Sequence, residues 1–280
     1  MFHLYLLPLH IHHFITFTMS NKKGIAIDEI IDLYNNGKNA AEISEILHCD
    51  VSNITRRLRK QGIQYKRDSA RVRRSRVGRI PINTSYFKNI DTPEKAYFLG
   101  VLCSDGSVSK NTFYLKLKDS DVVYKLKDAL ECAYKVRVCI SPYECYILSV
   151  YCQEMCNDLI SLGCTPNKTR TLQLPKLPEC LYSHFVRGYI DGNGCIRVGA
   201  FPSKDMLDIA TASSVFAEQL KAVIEPHANH VGITKEKRYD VWHVRCAGRQ
   251  VKSVLDWIYS DSDNMYMQRK YFKYQLISSR

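Results

Sequence analysis

The chain has 280 residues, 45% of them hydrophobic, and carries 40 Lys and Arg against 28 Asp and Glu, a formal net charge of +12. Such a length holds about two domains with cores of ordinary size, and the basic excess points to a polyanionic partner. Its eleven cysteines include no C-x-x-C pair and no secreted-scaffold spacing, which excludes a disulfide framework or a zinc module and favours free thiols in a reducing compartment.

Residues 1–18 are apolar but have no basic n-region and no small-residue cleavage site, and they are too short and histidine-rich to span a membrane. They are read as a leader foreign to the native protein, with translation starting at Met19. Residues 19–67 read as a small helical module. Ile27, Ile30, Ile31 and Tyr34 recur at helical spacing before the turn Asn35-Asn36-Gly37-Lys38; a second short helix covers 40–47; Ser52 is the expected N-cap of a third, which runs through Gln61. The last two resemble a helix-turn-helix, a motif whose second helix presents its early residues to base edges. Asn53, Thr55, Arg56, Arg57 and Arg59 occupy that helix. A three-helix core with an exposed basic face accounts for the same pattern.

Between Arg56 and Arg79 eleven basic side chains face the single acid Asp68. The linker within this run, residues 68–82, carries Arg71, Arg73, Arg74 and Arg76, suited to tracking phosphates or a narrow minor groove. A solvated charge run is the alternative.

The remainder divides into two similar halves, 83–178 and 179–280. Thr92 with Pro93 behind it marks the start of an apolar helix that ends in LGVLCSDGSV, residues 99–108. Strands follow near 112–118, a helix over 121–133, strands near 136–140 and 146–151, and a helix to Leu162. A second apolar helix ends in VRGYIDGNGCI, residues 186–196, followed by strands near 196–201 and 207–211, a helix over 214–224, strands near 232–239 and 242–246, and a helix through Tyr259. Gly100 and Gly188 sit at equivalent places, where small residues let two helices pack side by side. Asp105 and Asn193, each five positions later, then arrive together at the foot of the pair.

The two strings resemble those of the LAGLIDADG homing endonucleases. So do IDTPEKAYFLG before the first, LGCTPNKTRTLQLPKLP before the second, and the basic segment YMQRKYFKY near the end. The resemblance implies an α+β fold of two pseudo-symmetric αββαββα repeats with saddle-shaped antiparallel sheets, joined to the all-α helix-turn-helix domain. It also implies a monomer that hydrolyses double-stranded DNA at a long asymmetric target, intracellular and DNA-associated, whether in cytoplasm, an organelle or a phage-infected cell, and with no membrane partner. Alternation places Lys116 and Lys118 of the first half, and Arg197, Lys235, Lys237 and Arg245 of the second, on wet faces suited to phosphate and base contact.

By the same resemblance Asp105 binds Mg²⁺ or Mn²⁺, and Lys168 and Lys270 stabilise charge near the scissile phosphates. Asn193 stands where the family pattern has an acid; an amide offers a carbonyl oxygen without charge, so its metal site is expected to be weaker. Full cleavage, single-strand nicking and binding without cleavage are all compatible with that residue. The last of these describes a regulator or intron maturase-like protein.

Overall fold

The computed structural model describes residues 25–63, 80–140 and 143–280. Residues 1–18 and the arginines Arg71, Arg73, Arg74 and Arg76 lie outside them. The protein divides into two compact units, Met1–Arg79 and Ile80–Arg280.

In the first unit, helices α1 (Ile27–Asn35), α2 (Ala40–Ile46) and α3 (Val51–Lys60) close around Ile30, Ala40, Ile43, Ile54 and Leu58. A reciprocal capping box starts α2: Glu42 N donates to Asn39 Oδ1 at 3.0 Å, and Asn39 N to Glu42 Oε2 at 2.9 Å. The third helix begins before its expected cap. Asp50, with the extended backbone of an N-cap (ψ 137°), accepts from Ser52 N at 2.7 Å, so Ser52 lies inside the first turn. An ionised carboxylate also suits the positive end of the helix better than a hydroxyl does.

The second unit contains two copies of one plan. The first runs α4 (Pro93–Asp105), β1 (Gly106–Val108), β2 (Thr112–Leu117), α5 (Ser120–Ala129), β3 (Arg137–Cys139), β4 (Cys145–Tyr151) and α6 (Gln153–Ser161). The second runs α7 (Tyr182–Asn193), β5 (Gly194–Arg197), β6 (Met206–Thr211), α8 (Ser214–Ile224), β7 (Gly232–Glu236), β8 (Val241–Ala247) and α9 (Gln250–Tyr259), and a further helix, α10 (Gln268–Ser278), closes the chain. Each copy builds a four-stranded antiparallel sheet, in the orders β1-β2-β4-β3 and β5-β6-β8-β7. Thr92 caps α4 through Lys95 N at 3.3 Å, with Pro93 in the first turn.

Three spans differ from expectation, one of them β7, which ends at Glu236 rather than near residue 239. The helix expected to reach residue 133 stops at Ala129, because Glu131 turns to φ 49° while Cys132 N returns to Lys127 O and Ala133 N pairs with Pro81 O. Strand β5 starts at Gly194, directly off the helix, and ends at Arg197 rather than near residue 201. On β2, Phe113, Leu115 and Leu117 are buried while Tyr114 and Lys116 face solvent. A single apolar core runs through both copies, from Phe87 and Phe113 to Phe216 and Ile258. Among the described residues no helix is long and apolar enough to cross a membrane.

Candidate functional site

Helices α4 and α7 pack against each other at the centre of the second unit. Eight consecutive residues of α4, Ala96 to Cys103, are buried, and so are eight of α7, His184 to Asp191. Two helices can be buried on all sides in this way only if their backbones touch, and the glycines permit it. A Cβ on Gly100 would overlap the Phe185 carbonyl oxygen and stand 2.8 Å from Tyr189 N; one on Gly188 would overlap the Tyr97 carbonyl oxygen. Gly192 gives the same clearance lower down, where a Cβ would run into the side chains of Ser104 and Asp105.

At the foot of the pair the two equivalent positions differ. Asp105 is half-buried, and its Oδ2 has no hydrogen-bond partner among the described residues. Burial pushes its carboxyl pKa up, against the neighbouring Ser104 hydroxyl and the charges of Lys270, Lys168 and Arg269. Asn193 is exposed, and its Nδ2 donates to the Tyr189 hydroxyl at 3.3 Å. Two places before Asn193, Asp191 is fully buried and accepts from Tyr97 Oη at 2.8 Å, Met267 N at 2.7 Å and Tyr259 Oη at 3.3 Å. Burial raises its pKa to about 6, the nearby Lys270 pulling the other way.

Both lysines singled out from sequence are buried and act on helix ends. Lys168, in a single turn entered through Asn167 at φ 57°, donates to Gly106 O just past α4. Lys270, in the first turn of α10, donates to Ile190 O and, at 2.6 Å, to Asp191 O, near the end of α7. Cations suit these negative helix ends: Gly106 O lies past the end of α4, and Ile190 O is shared between Lys270 and the Gly194 N–H. Burial lowers the Lys270 pKa to about 8, with Asp191 opposing.

Two helices cross on glycines, each ends in a polar residue at a shared foot, and a sheet folds from the end of each. The fold is of the LAGLIDADG type. No known family model matches the chain, and no curated protein matches it. Solved structures similar to it include the I-LtrWI LAGLIDADG homing endonuclease bound to target DNA, at 13% identity and a TM-score of 0.43, covering 70% of this chain and 91% of that one. Full-length DUF199/WhiA from Thermatoga maritima is similar at 12% identity and a TM-score of 0.46; the match covers 70% of this chain and 64% of that protein. I-DmoI in complex with DNA and Mn is similar at 15% identity and a TM-score of 0.42, over 63% of this chain and 98% of that one.

A cleft of about 280 Å³ opens beside Asp105, lined by Lys116, Lys118, Asp119, Gly192 and Arg269 among others. Arg269 Nε donates to both oxygens of Asp119, at 2.9 and 3.1 Å, and so links the second repeat to the first across it. Lys118 Nζ lies 4.2 Å from the Tyr143 ring centroid. No group of three or more His, Cys, Asp and Glu among the described residues is placed to hold a metal ion. The orphaned Asp105 oxygen nevertheless fits a hard divalent cation. Mg²⁺ keeps most of its waters and takes one or two carboxylates, with substrate phosphate completing the shell.

The solvent faces of the two sheets correct one grouping made from sequence. Register pairs Lys235 with Trp242, on the opposite face from His243 and Arg245, and its Nζ lies 5.2 Å from the Trp242 ring and 2.7 Å from Asp240 Oδ1. Lys237 falls in the turn after β7. The alternation expected to continue through residue 239 ends with the strand, at Glu236. Arg197 is exposed on β5, its Nη2 3.6 Å from Met206 Sδ. Arg137, which sequence reasoning missed, shares the face of Lys116 through Ile147 and reaches Ser149 Oγ at 3.4 Å.

In the first unit, Asn53 and Arg57 are half-buried and tied together at 3.1 Å, with Arg57 also donating to Ile25 O. Thr55 Oγ1 donates to Ser52 O at 3.1 Å. Arg56 and Arg59 are exposed, though Arg56 Nη2 also reaches Asn53 Oδ1 at 3.4 Å.

Proposed function

We propose that the protein is a site-specific endonuclease of duplex DNA, with its reaction centre at Asp105. The observation that carries this reading is the buried, unpartnered Asp105 oxygen at the joint foot of two helices, beside a cleft lined by Lys116, Lys118 and Arg269. Asp105 would hold a divalent cation, Mg²⁺ or Mn²⁺, which when bound stabilises charge on a phosphate and lowers the pKa of water. The chain's own residues do the rest. Gly192 lets the carboxylate lie against the neighbouring helix, Lys168 and Lys270 hold the two helix ends in place, and Lys116 and Lys118 offer the phosphate backbone cations along one wall. The three-helix unit, read as a helix-turn-helix, and the arginine-rich segment after it lengthen the contact with DNA.

A second reading, single-strand nicking or binding without cleavage, is favoured by Asn193, whose amide is exposed, uncharged and tied to Tyr189. The test is cleavage of source-organism DNA with Mg²⁺ or Mn²⁺, broken ends mapped strand by strand, for the natural chain and for Asn193→Asp. Paired breaks from the natural chain support the first reading. Paired breaks from the variant alone support the second, and intact DNA with both proteins excludes a nuclease.

A further inference from the structure

The solvent face of the second sheet carries a chain of polar contacts with no counterpart in the first. Arg245 on β8 stands directly opposite Asp208 on β6, and its Nε donates to Asp208 Oδ2 at 3.0 Å. The other carboxylate oxygen, Oδ1, is 2.9 Å from His243 Nδ1, and His243 Nε2 lies 3.6 Å from Glu236 Oε2. At the equivalent register in the first sheet, where Ser107 pairs with Tyr114 as Cys195 does with Asp208, stand Tyr114 and Ser149.

Only one nitrogen of the guanidinium is used. Nη1 and Nη2 have no partner among the described residues, and the flank of Arg245 away from Asp208 is Gly232, which brings no side chain of its own; the His230 ring, with Nε2 3.7 Å from where a Cβ would stand, is the nearest group there. Asp208 is itself mostly buried, its side chain 14% exposed against 42% for Arg245, so the anchored end is fixed while the fork reaches solvent. An exposed ion pair of this kind contributes only about 0–1 kcal/mol to folding. What it does is hold a planar, bidentate donor in one orientation before any ligand arrives.

Two features choose the ligand. Both β6 and β8 are inner strands of the sheet, so Arg245 stands over the middle of the face and not at its rim. Asp208 alone among the described residues meets Arg245 directly and offsets its charge, which disfavours a phosphate and suits a neutral hydrogen-bonding edge. The strands of the first sheet bear no carboxylate, and Lys116 and Arg137 on their solvent face suit phosphate instead. In the major groove, the edge that matches two parallel N–H donors is guanine O6 and N7. We infer that Arg245 reads one guanine of the target, with Asp208 as its positioning residue and His243 fixing Asp208. This rests on the duplex-DNA reading above.

The experiment is selection by the full chain from a randomised DNA duplex library in chelator, so that nothing is cut, for the natural protein and for Arg245→Gln, Arg245→Lys and Asp208→Asn, with thermal unfolding as a check on folding. The natural chain is expected to enrich a motif with one dominant guanine. Arg245→Gln and Arg245→Lys should each lower the preference at that position roughly tenfold, and Asp208→Asn should lower it in the same place, leaving the rest of the motif unchanged. A motif unaltered in the Arg245 variants, or affinity reduced evenly at every position, overturns the inference and leaves DNA binding intact. If the natural chain enriches no motif, the site-specific reading itself fails.

Discussion

Two carboxylates near the end of the helix pair sit in opposite circumstances, and each gives a measurable expectation. Asp105 has an oxygen out of water with nothing to bond, which costs stability while the group is ionised. On the reading proposed above, added Mg²⁺ should raise the melting temperature of the natural chain; Asp105→Asn is expected to leave that of the metal-free protein unchanged or raised, to abolish the Mg²⁺ response, and to cut cleavage at least about a hundredfold. Cleavage that survives the change would place the reaction centre elsewhere. Asp191 is buried but fully bonded, with a pKa raised to about 6. The folded state binds that proton more tightly than the unfolded chain does, so the stability this group supplies is complete below about pH 3.9 and is lost as pH rises through 6. Asp191→Asn can keep its carbonyl toward Tyr97 and Met267 and turn its amide to the Tyr259 hydroxyl. Relative to that variant, the natural chain should lose about 2 kcal/mol between pH 4 and 7, read by denaturant unfolding at each pH. A difference that stays flat would mean that Asp191 keeps ordinary acidity.

At the scale of elements, the helix pair is the part most exposed to substitution. Gly100→Ala or Gly188→Ala puts a methyl group into a backbone carbonyl, and neither helix can give way without the other. Each is expected to destabilise the protein by about 3 kcal/mol or more, measured by chemical denaturation; a loss under about 1 kcal/mol would show that the helices can part. These helices were legible in the sequence because everything that defines them is local: Thr92 with Pro93 at the start, an apolar run, a glycine, and a polar residue five places on. The same holds for α8 and α9, which fall where periodicity puts them. What escaped depends on partners far along the chain. That Lys235 faces Trp242, and that Asp208 meets Arg245, follow from strand register, which no short window contains. Lys168 and Lys270 stood out in sequence as cations near a reacting phosphate, whereas the folded chain shows them bonded to carbonyls 62 and 79 residues away. Arg187, wholly buried and donating to Ile258 O and Met265 O, gave no signal, since an arginine inside an apolar helix reads as its wet side.

Over the whole molecule, basic charge and the proposed reaction centre belong to different stretches of chain. The eleven basic residues between Arg56 and Arg79 nearly match the net charge of +12, yet Asp105 and its cleft lie beyond residue 80. The fragment 80–280 has its own continuous core and is expected to unfold cooperatively by itself. On duplex DNA its affinity should fall and the dependence of log affinity on log salt should become shallower than for the full chain, by nearly one unit for each phosphate that the missing residues would have neutralised. An unchanged slope would mean that the basic stretch does not touch the backbone.

The unequal feet of the helix pair have one more consequence. A protein built from two matching halves could settle on a duplex in either of two orientations related by half a turn. Here Asp105 ends one helix and Asn193 the other, and an arginine braced by Asp208 faces outward from one sheet only. The molecule therefore has a front and a back. On the reading proposed above, it would leave its mark on a particular strand, much as an arrow records the direction from which it came.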